Sequence, residues 1–151
     1  LNDSTAHWRD HLIATPEAIR RLLNATRRIA VLGIKTEMQA DQPAFYVAQY
    51  LVDAGFDVVP VPVYYPNVST ILGRPVHRQL AGIDPPVDMV NVFRRPQDLA
   101  AHVDDLIAAR PRAVWMQLGI ADAAVAERLA RAGIDVVQNR CIMVDHRQLA
   151  A

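Results

Sequence analysis

Lys35 is the only lysine among 151 residues; the other fifteen basic side chains are arginines. It stands two places after Gly33 in "AVLGIKTEMQADQPAFYV", where an apolar run gives way to a loop and then to a helix start at Pro43. Arg94, Arg95 and Arg140 occupy the same kind of place, directly after later apolar runs. None of these short segments carries a carboxylate. A helix start adds free N–H groups and the positive end of its dipole, and Pro43 suits a first helical turn with Asp41 or Gln42 as its cap. Such ingredients suit an anion, and phosphate in particular, because charged donors make the strongest hydrogen bonds to it. Any one arginine beside a strand is as readily a solvated surface residue. The set is what points to a site.

The loop around Gly33 does not match the common phosphate binders. A dinucleotide fingerprint needs three glycines and a carboxylate at the end of the second strand. Gly33 is alone, and "VVPVPVYYP" offers neither Asp nor Glu. Lys35-Thr36 reproduces only the last pair of a P-loop. Other reactive side chains form weaker patterns. Cys141 is either a thiol facing a ligand or, more commonly for a lone cysteine, a small buried residue. His7 and His11 have helical metal-ligand spacing without a third ligand nearby, so an exposed polar face is expected. His77, His102 and His146 form no catalytic set, and Asp145 and His146, being adjacent, are not expected to face each other. Asp104 and Asp105 are expected on the exposed side of a helix. Tyr64 and Tyr65 can stack on an aromatic ligand, and core packing or a dimer contact suits them equally. Trp115 is expected in the core.

These residues need strand ends to hold them. Apolar runs of strand length occur at Ile29–Ile34, Asp57–Val61, Asp88–Phe93, Ala113–Leu118 and Asp135–Gln138. They are rich in Val, Ile and Leu without clean alternation, the pattern of strands buried on both faces of a parallel sheet. Helical stretches lie between them at Ala44–Ala54, Pro96–Ala109 and Asp122–Ala132, with Gly55 and Gly133 placed as helix stops. Alternating strands and helices predict an α/β, Rossmann-like doubly wound parallel sheet of about five strands, expected in the order 3-2-1-4-5. Residues 1–27 form an expected N-terminal helical arm, broken near Pro16, with Ile19, Leu22 and Leu23 as its apolar face. Residues 28–151 form the domain proper. Residues 62–87 hold five prolines and make a long excursion after the second strand, with a short helix expected near Ser69–Leu72.

Ligands of such sheets bind beyond the carboxyl ends of the strands. The residues there are Gly33-Ile34-Lys35-Thr36, Pro62-Val63-Tyr64, Arg94-Arg95-Pro96, Gln117-Leu118-Gly119 and Asn139-Arg140-Cys141. Sixteen basic and sixteen acidic residues balance, so no global field calls for nucleic acid or an anionic membrane. The first residues lack a signal-peptide layout, no apolar run has the roughly 20 residues of a membrane span, and one cysteine excludes an internal disulfide. A cytoplasmic location is the expectation.

From about Arg28 to Leu149 the chain resembles the small single-domain CoA-binding proteins, whose fold is close to the CoA-binding domain of succinyl-CoA synthetase. The resemblance rests on "IAVLG", "PAFYVAQYLVDAGFDVVPVP", "TILGRPV", "PVDMVNVFRRP", "VWMQLGI" and "AGIDVVQNRCIMVDH". It implies coenzyme A (or an acyl-CoA) as ligand and no catalysis by the domain itself. It implies that Gly33, Ile34, Lys35 and Thr36, with Pro43 and Ala44 at the helix start, hold the pyrophosphate. Pro62 then borders the adenine end, and Arg94, Gln117, Leu118, Gly119, Asn139, Arg140 and Cys141 line the rest of the cleft. Relatives often carry a serine-rich turn after the first glycine, Arg-Pro-Ser at the helix start and Asn-Pro-Lys after the second strand. Here those places read Ile34-Lys35-Thr36, Gln42-Pro43-Ala44 and Val61-Pro62-Val63, and Lys35 is the candidate replacement for a lost contact. The role implied is sensing or carrying CoA, or gating a protein partner; a homo-oligomer is left open. The rival readings are an NAD(P)-binding oxidoreductase or redox sensor, and an interaction module that has lost its ligand.

Overall fold

A computed structural model describes residues 6–150; the expectations for residues 1–5 of the arm and for Ala151 lie outside the described residues. Five parallel strands form the main sheet: β1 (Arg28–Leu32), β2 (Asp57–Val61), β5 (Met89–Val92), β6 (Ala113–Met116) and β7 (Asp135–Val137). Strands β3 (Thr70–Ile71) and β4 (Arg74–Pro75) form a separate antiparallel pair. The helices are α1 (Pro16–Asn24), α2 (Pro43–Asp53), α3 (Val103–Ala109), α4 (Ala123–Arg131) and α5 (Ile142–Leu149). The doubly wound Rossmann-like architecture is as expected.

The order of the sheet is β2-β1-β5-β6-β7, not the expected 3-2-1-4-5. Pro60 supplies a physical reason. It sits inside β2, paired with Val31 of β1, and cannot donate to a further strand. A proline inside a strand is at home on an edge, and β2 is one. The next strand of the sheet, β5, therefore pairs on the other side of β1, with Ile29 opposite Met89 and Leu32 opposite Val92. The order in which strands are added reverses between β1 and β5, and that gap is where a ligand crevice belongs.

Alternation along the strands feeds two cores. Ala30, Leu32, Val90, Val92, Val114 and Met116 face α3 and α4, where Val103, Leu106, Val125 and Leu129 are buried. Ile29, Val31, Met89, Trp115 and Val137 face α1, α2 and α5, with Ile19, Leu23, Phe45, Leu51 and Ile142. Trp115 is fully buried, as expected, and its indole N–H donates to the Arg140 carbonyl at 2.8 Å. In the arm, Thr15 caps α1 by accepting from the Ala18 amide, and Ile19, Leu22 and Leu23 are buried as expected. Ahead of it, Leu12 bridges Val136 and the Ile13 amide donates to the Val136 carbonyl, covering the β7 edge.

Two expectations fail locally. The helix expected near Ser69–Leu72 is a hairpin. Leu72 and Gly73 both have positive φ (54° and 72°), the two-residue turn geometry that matches strand twist. The hairpin lies beside the other edge, where the His77 amide donates to the Pro60 carbonyl. The stretch Pro96–Ala109 is not one α-helix: Pro96–His102 is 3-10 and only Val103–Ala109 is α. A C-terminal helix not foreseen from the sequence, α5, packs against α1 and α2. Among the described residues, no helix is long and apolar enough to cross a membrane.

Candidate functional site

A cleft of about 510 Å3 opens over the carboxyl ends of β1, β5 and β6. That size lies within the ~300–1,000 Å3 usual for cofactor sites. Its walls are Lys35, Gln42, Pro43, Ala44, Tyr46 and Val47 on one side, and Phe93, Arg94, Arg95 and Pro96 on the other. Gln117, Leu118, Gly119, Ile120 and Cys141 close the far end. A smaller hollow of about 290 Å3 adjoins it, lined by Gly33, Ile34, Val63, Tyr64 and Tyr65, and shares Lys35, Phe93, Arg94 and Arg95 with it. The two make one trough across the switch point. A separate cavity of about 600 Å3 lies at the opposite, amino edge of the sheet beside α1. Two of the charged groups around it are already committed, Arg21 to Glu17 and Asp135 to His11.

Gly33 makes the trough possible. Its φ is +85°, and a Cβ there would stand 2.3 Å from the Phe93 carbonyl oxygen. The glycine thus serves both a left-handed turn and the close approach of two strand ends. The Gly33 amide donates to the Val61 carbonyl and the Phe93 amide to that of Leu32, so the three strand ends are tied together. The Lys35 amide then donates to the Ala44 carbonyl, which fixes the lysine beside the start of α2. Thr36 and Gln39 form a capping box on the short turn that follows.

The start of α2 is partly open. Pro43 has no N–H, and the Phe45 and Tyr46 amides both donate to the Gln42 carbonyl. The Ala44 amide is left without a partner among the described residues. Gln42 is the N-cap residue but makes no capping bond through its side chain. Lys35 is half-buried, and no side-chain partner for it is found among the described residues. Arg94 differs. Its Nε donates to His102 Nε2 at 3.1 Å, and its Nη2 is 3.7 Å from Asp98. His102 must therefore be the neutral tautomer with its proton on Nδ1. Burial, and then the Arg94 charge, hold its pKa below the ordinary value. Arg95 donates to Asp98, whose carboxyl is held below its usual range chiefly by that bond.

The β6–β7 end is closed by its own bonds. Asn139, with φ 58°, accepts from the Gly119 amide at 2.7 Å. Arg140 grips both oxygens of Asp145 at 2.6 and 2.9 Å, and that pairing raises its pKa. Gln117 Oε1 accepts from Asn91 Nδ2 at 3.2 Å and from the Ile142 amide at 3.4 Å. Cys141 is half-buried at the N-cap of α5 and lines the cleft.

Of the sequence candidates, Lys35, Pro43, Ala44, Arg94, Gln117, Leu118, Gly119 and Cys141 meet around the main cleft. Gly33 and Ile34 line the adjoining hollow. Thr36, Pro62, Asn139 and Arg140 line neither; Thr36 and Pro62 are buried, and the other two brace the loops behind the wall. Tyr46, Val47, Phe93 and Ile120 are wall residues that the sequence reading passed over. Tyr46, one turn inside α2 and 41% exposed, is an aromatic at a helix start beside a strand end, which is the signal that could have found it. Asp145 and His146 do not pair: His146 Nδ1 bonds the Tyr50 hydroxyl at 2.7 Å. Among the described residues no cluster of three metal-ligating side chains occurs.

A doubly wound sheet with a polar-mouthed, apolar-walled trough at its switch point defines a Rossmann-like domain. More closely, the chain belongs to the CoA binding domain family, whose model matches residues 27–147. It is 30% identical over 128 residues to the uncharacterized protein YneT of Bacillus subtilis (strain 168), covering 85% of this chain and 91% of that protein. A solved structure from Thermus thermophilus superposes with a TM-score of 0.82 at 36% identity, over 90% of this chain and 99% of that one. The acetyl-coenzyme A synthetase 1 of Ca. Korarchaeum cryptofilum shares the fold, with a TM-score of 0.63 at 17% identity over 78% of this chain and 26% of its own.

Proposed function

We propose that this chain binds coenzyme A, or an acyl-CoA, in the trough across β1 and β5, and performs no chemistry by itself. The observation that carries the reading is the mouth of the trough, where the unpartnered Lys35 ammonium and the open Ala44 amide meet Arg94. Three donors there match a diphosphate. The adenine end runs toward Val63 and Tyr64, both exposed, in the hollow beyond Gly33. The pantetheine arm runs the other way, between Tyr46, Phe93 and Leu118, toward Cys141. Among the described residues, Lys35, Tyr46 and Cys141 line the main cleft with no Asp, Glu, His, Ser or Thr beside them, which supports a binder over a catalyst. The end of β2 is Val61-Pro62-Val63, with no carboxylate for the ribose of NAD.

Calorimetry with CoA, acetyl-CoA, NADH and NADPH tests this directly. The expected result is binding of a CoA species and none of either nicotinamide nucleotide. At a CoA concentration 100 times the dissociation constant, the fold gains about 2.7 kcal/mol. Stabilisation by NADH with none by CoA overturns the reading.

A further inference from the structure

Gln117 follows β6 and is only 4% exposed, yet it lines the main cleft. The orientation of its amide follows from two donors that reach Oε1, Asn91 Nδ2 at 3.2 Å and the Ile142 N–H at 3.4 Å, although Asn91 Oδ1 is itself buried without a partner. The Ile142 N–H needs an acceptor, so Oε1 points there and toward Asn91 Nδ2. The Nε2 group is thereby turned away from both. It donates to no group among the described residues, and it is not among the side-chain atoms sealed in the core without a partner. Gln117 lines the cleft together with Phe93, Leu118 and Cys141, so the cleft is where this two-proton donor can find an acceptor. Burying such a donor unpaired is unfavourable, because it gives up its bonds to water without replacement. A fully apolar residue would close this end without that cost, except that Asn91 and Ile142 would lose their acceptor.

We propose that Gln117 is a specificity residue that reads a carbonyl oxygen at the inner end of the site. The ligand it selects is an acyl thioester of CoA over the free thiol. The inference rests on the CoA reading of the same trough. A thiol has hydrogen to donate but is a poor acceptor, whereas a thioester carbonyl accepts from an amide N–H and sets its short acyl chain against Leu118 and Ile120. The carbonyls of the pantetheine arm are the competing partners, and they are common to CoA and acetyl-CoA.

Gln117→Glu keeps an acceptor oxygen for Asn91 and Ile142 and removes the donor. Calorimetry on the full chain is expected to show acetyl-CoA bound more tightly than CoA by the unmodified protein. In the variant, the preference for acetyl-CoA over CoA is expected to fall about tenfold, any loss common to both ligands being the cost of the new carboxylate in the cleft. Thermal melting verifies that the variant is folded. A measurement that needs no variant is the side-chain amide spectrum of 15N-glutamine-labelled protein, in which the Gln117 signal is expected to move further with acetyl-CoA than with CoA. Equal losses for the two ligands assign the donor to the pantetheine arm and overturn the proposal. So does a Gln117 signal that responds to both ligands alike. No binding of any CoA species by the unmodified protein removes the reading of the whole site, a different failure from CoA binding with no acyl preference.

Discussion

The carboxyl edge of the sheet has two halves built from similar residues and finished differently. At β1 and β5, the Lys35 ammonium and the Ala44 amide have no partner among the described residues, and Arg94 is held by its Nε to His102 and more loosely, at 3.7 Å, to Asp98. At β6 and β7, a glycine, an asparagine and an arginine have their polar groups committed within the fold: Asn139 to the Gly119 amide, Arg140 to Asp145. Residue type therefore does not distinguish a ligand contact from a brace. What distinguishes them is whether the hydrogen-bonding capacity is already used, because a charged group with a buried partner loses that partner's bond before it can gain a ligand's.

The glycines of the two halves give the sharpest contrast. Gly33 and Gly119 have nearly the same φ, +85° and +87°, but an added Cβ meets the Phe93 carbonyl at the first and nothing at the second. Gly33→Ala is expected to cost about 3–5 kcal/mol, since left-handed strain and a backbone clash act together. Gly119→Ala should cost about 1–2 kcal/mol, the strain alone. Urea unfolding of both variants measures the difference. Equal losses would mean that β1 and β5 can separate at their ends, and the narrow floor of the trough would not be a fixed feature.

The cations should divide along the same line. Lys35→Ala and Arg94→Ala are expected to weaken CoA tenfold or more, as a charge-assisted bond of about 1.5–3 kcal/mol is lost, with the melting temperature nearly unchanged for Lys35→Ala. Arg140→Ala is expected to do the reverse. It strands Asp145, which is 4% exposed, and should cost about 2 kcal/mol of stability with little effect on CoA. The cost lies below that of a fully buried pair because the Arg140 side chain is 38% exposed. If Arg140→Ala abolished CoA binding in a protein that still melted normally, the closed half would belong to the site.

The fold class was legible because continuous apolar runs alternating with helical stretches that stop at glycine leave few alternatives. The strand order was legible too, in Pro60, but only to a reading that asks which strand tolerates a missing donor. The hairpin at Thr70–Pro75 escaped because its turn places Leu72, not a typical turn residue, at positive φ. At the site, the convergence of Lys35, Arg94, Gln117 and Cys141 followed from their places at strand ends. The commitment of Arg140 did not. Its partner Asp145 lies one turn inside α5, a helix too short and too mixed in polarity to stand out, and only that helix brings the carboxylate back to the arginine. The donor of Gln117 was hidden for a similar reason, since its orientation depends on the Ile142 amide at the start of the same helix.

The smallest expected effect concerns the support of Arg94 and depends on pH. His102 accepts from Arg94 Nε, and the charged groups facing it are Arg94 from the end of β5, Asp98 from its own 3-10 turn and Asp105 from α3. The Asp105 carboxylate is occupied by the Leu80 and Ala81 amides. The His102 pKa lies below 6.5 in the fold because burial and the Arg94 charge disfavour the imidazolium. Between the folded value and 6.5 the unfolded chain holds more protons, so stability falls as pH drops through that window and is retained above it. His146, also lowered by burial, acts in the same direction from the packing of α5 on α2. His102→Gln and His146→Gln should each flatten part of the acid decline in urea midpoint. Only His102→Gln should also alter CoA affinity, by a factor of about two to five, because only His102 touches a cation of the open half. If both variants flatten the acid decline and neither alters CoA binding, Arg94 is held in place by Asp98 alone, and the open half needs no support from His102.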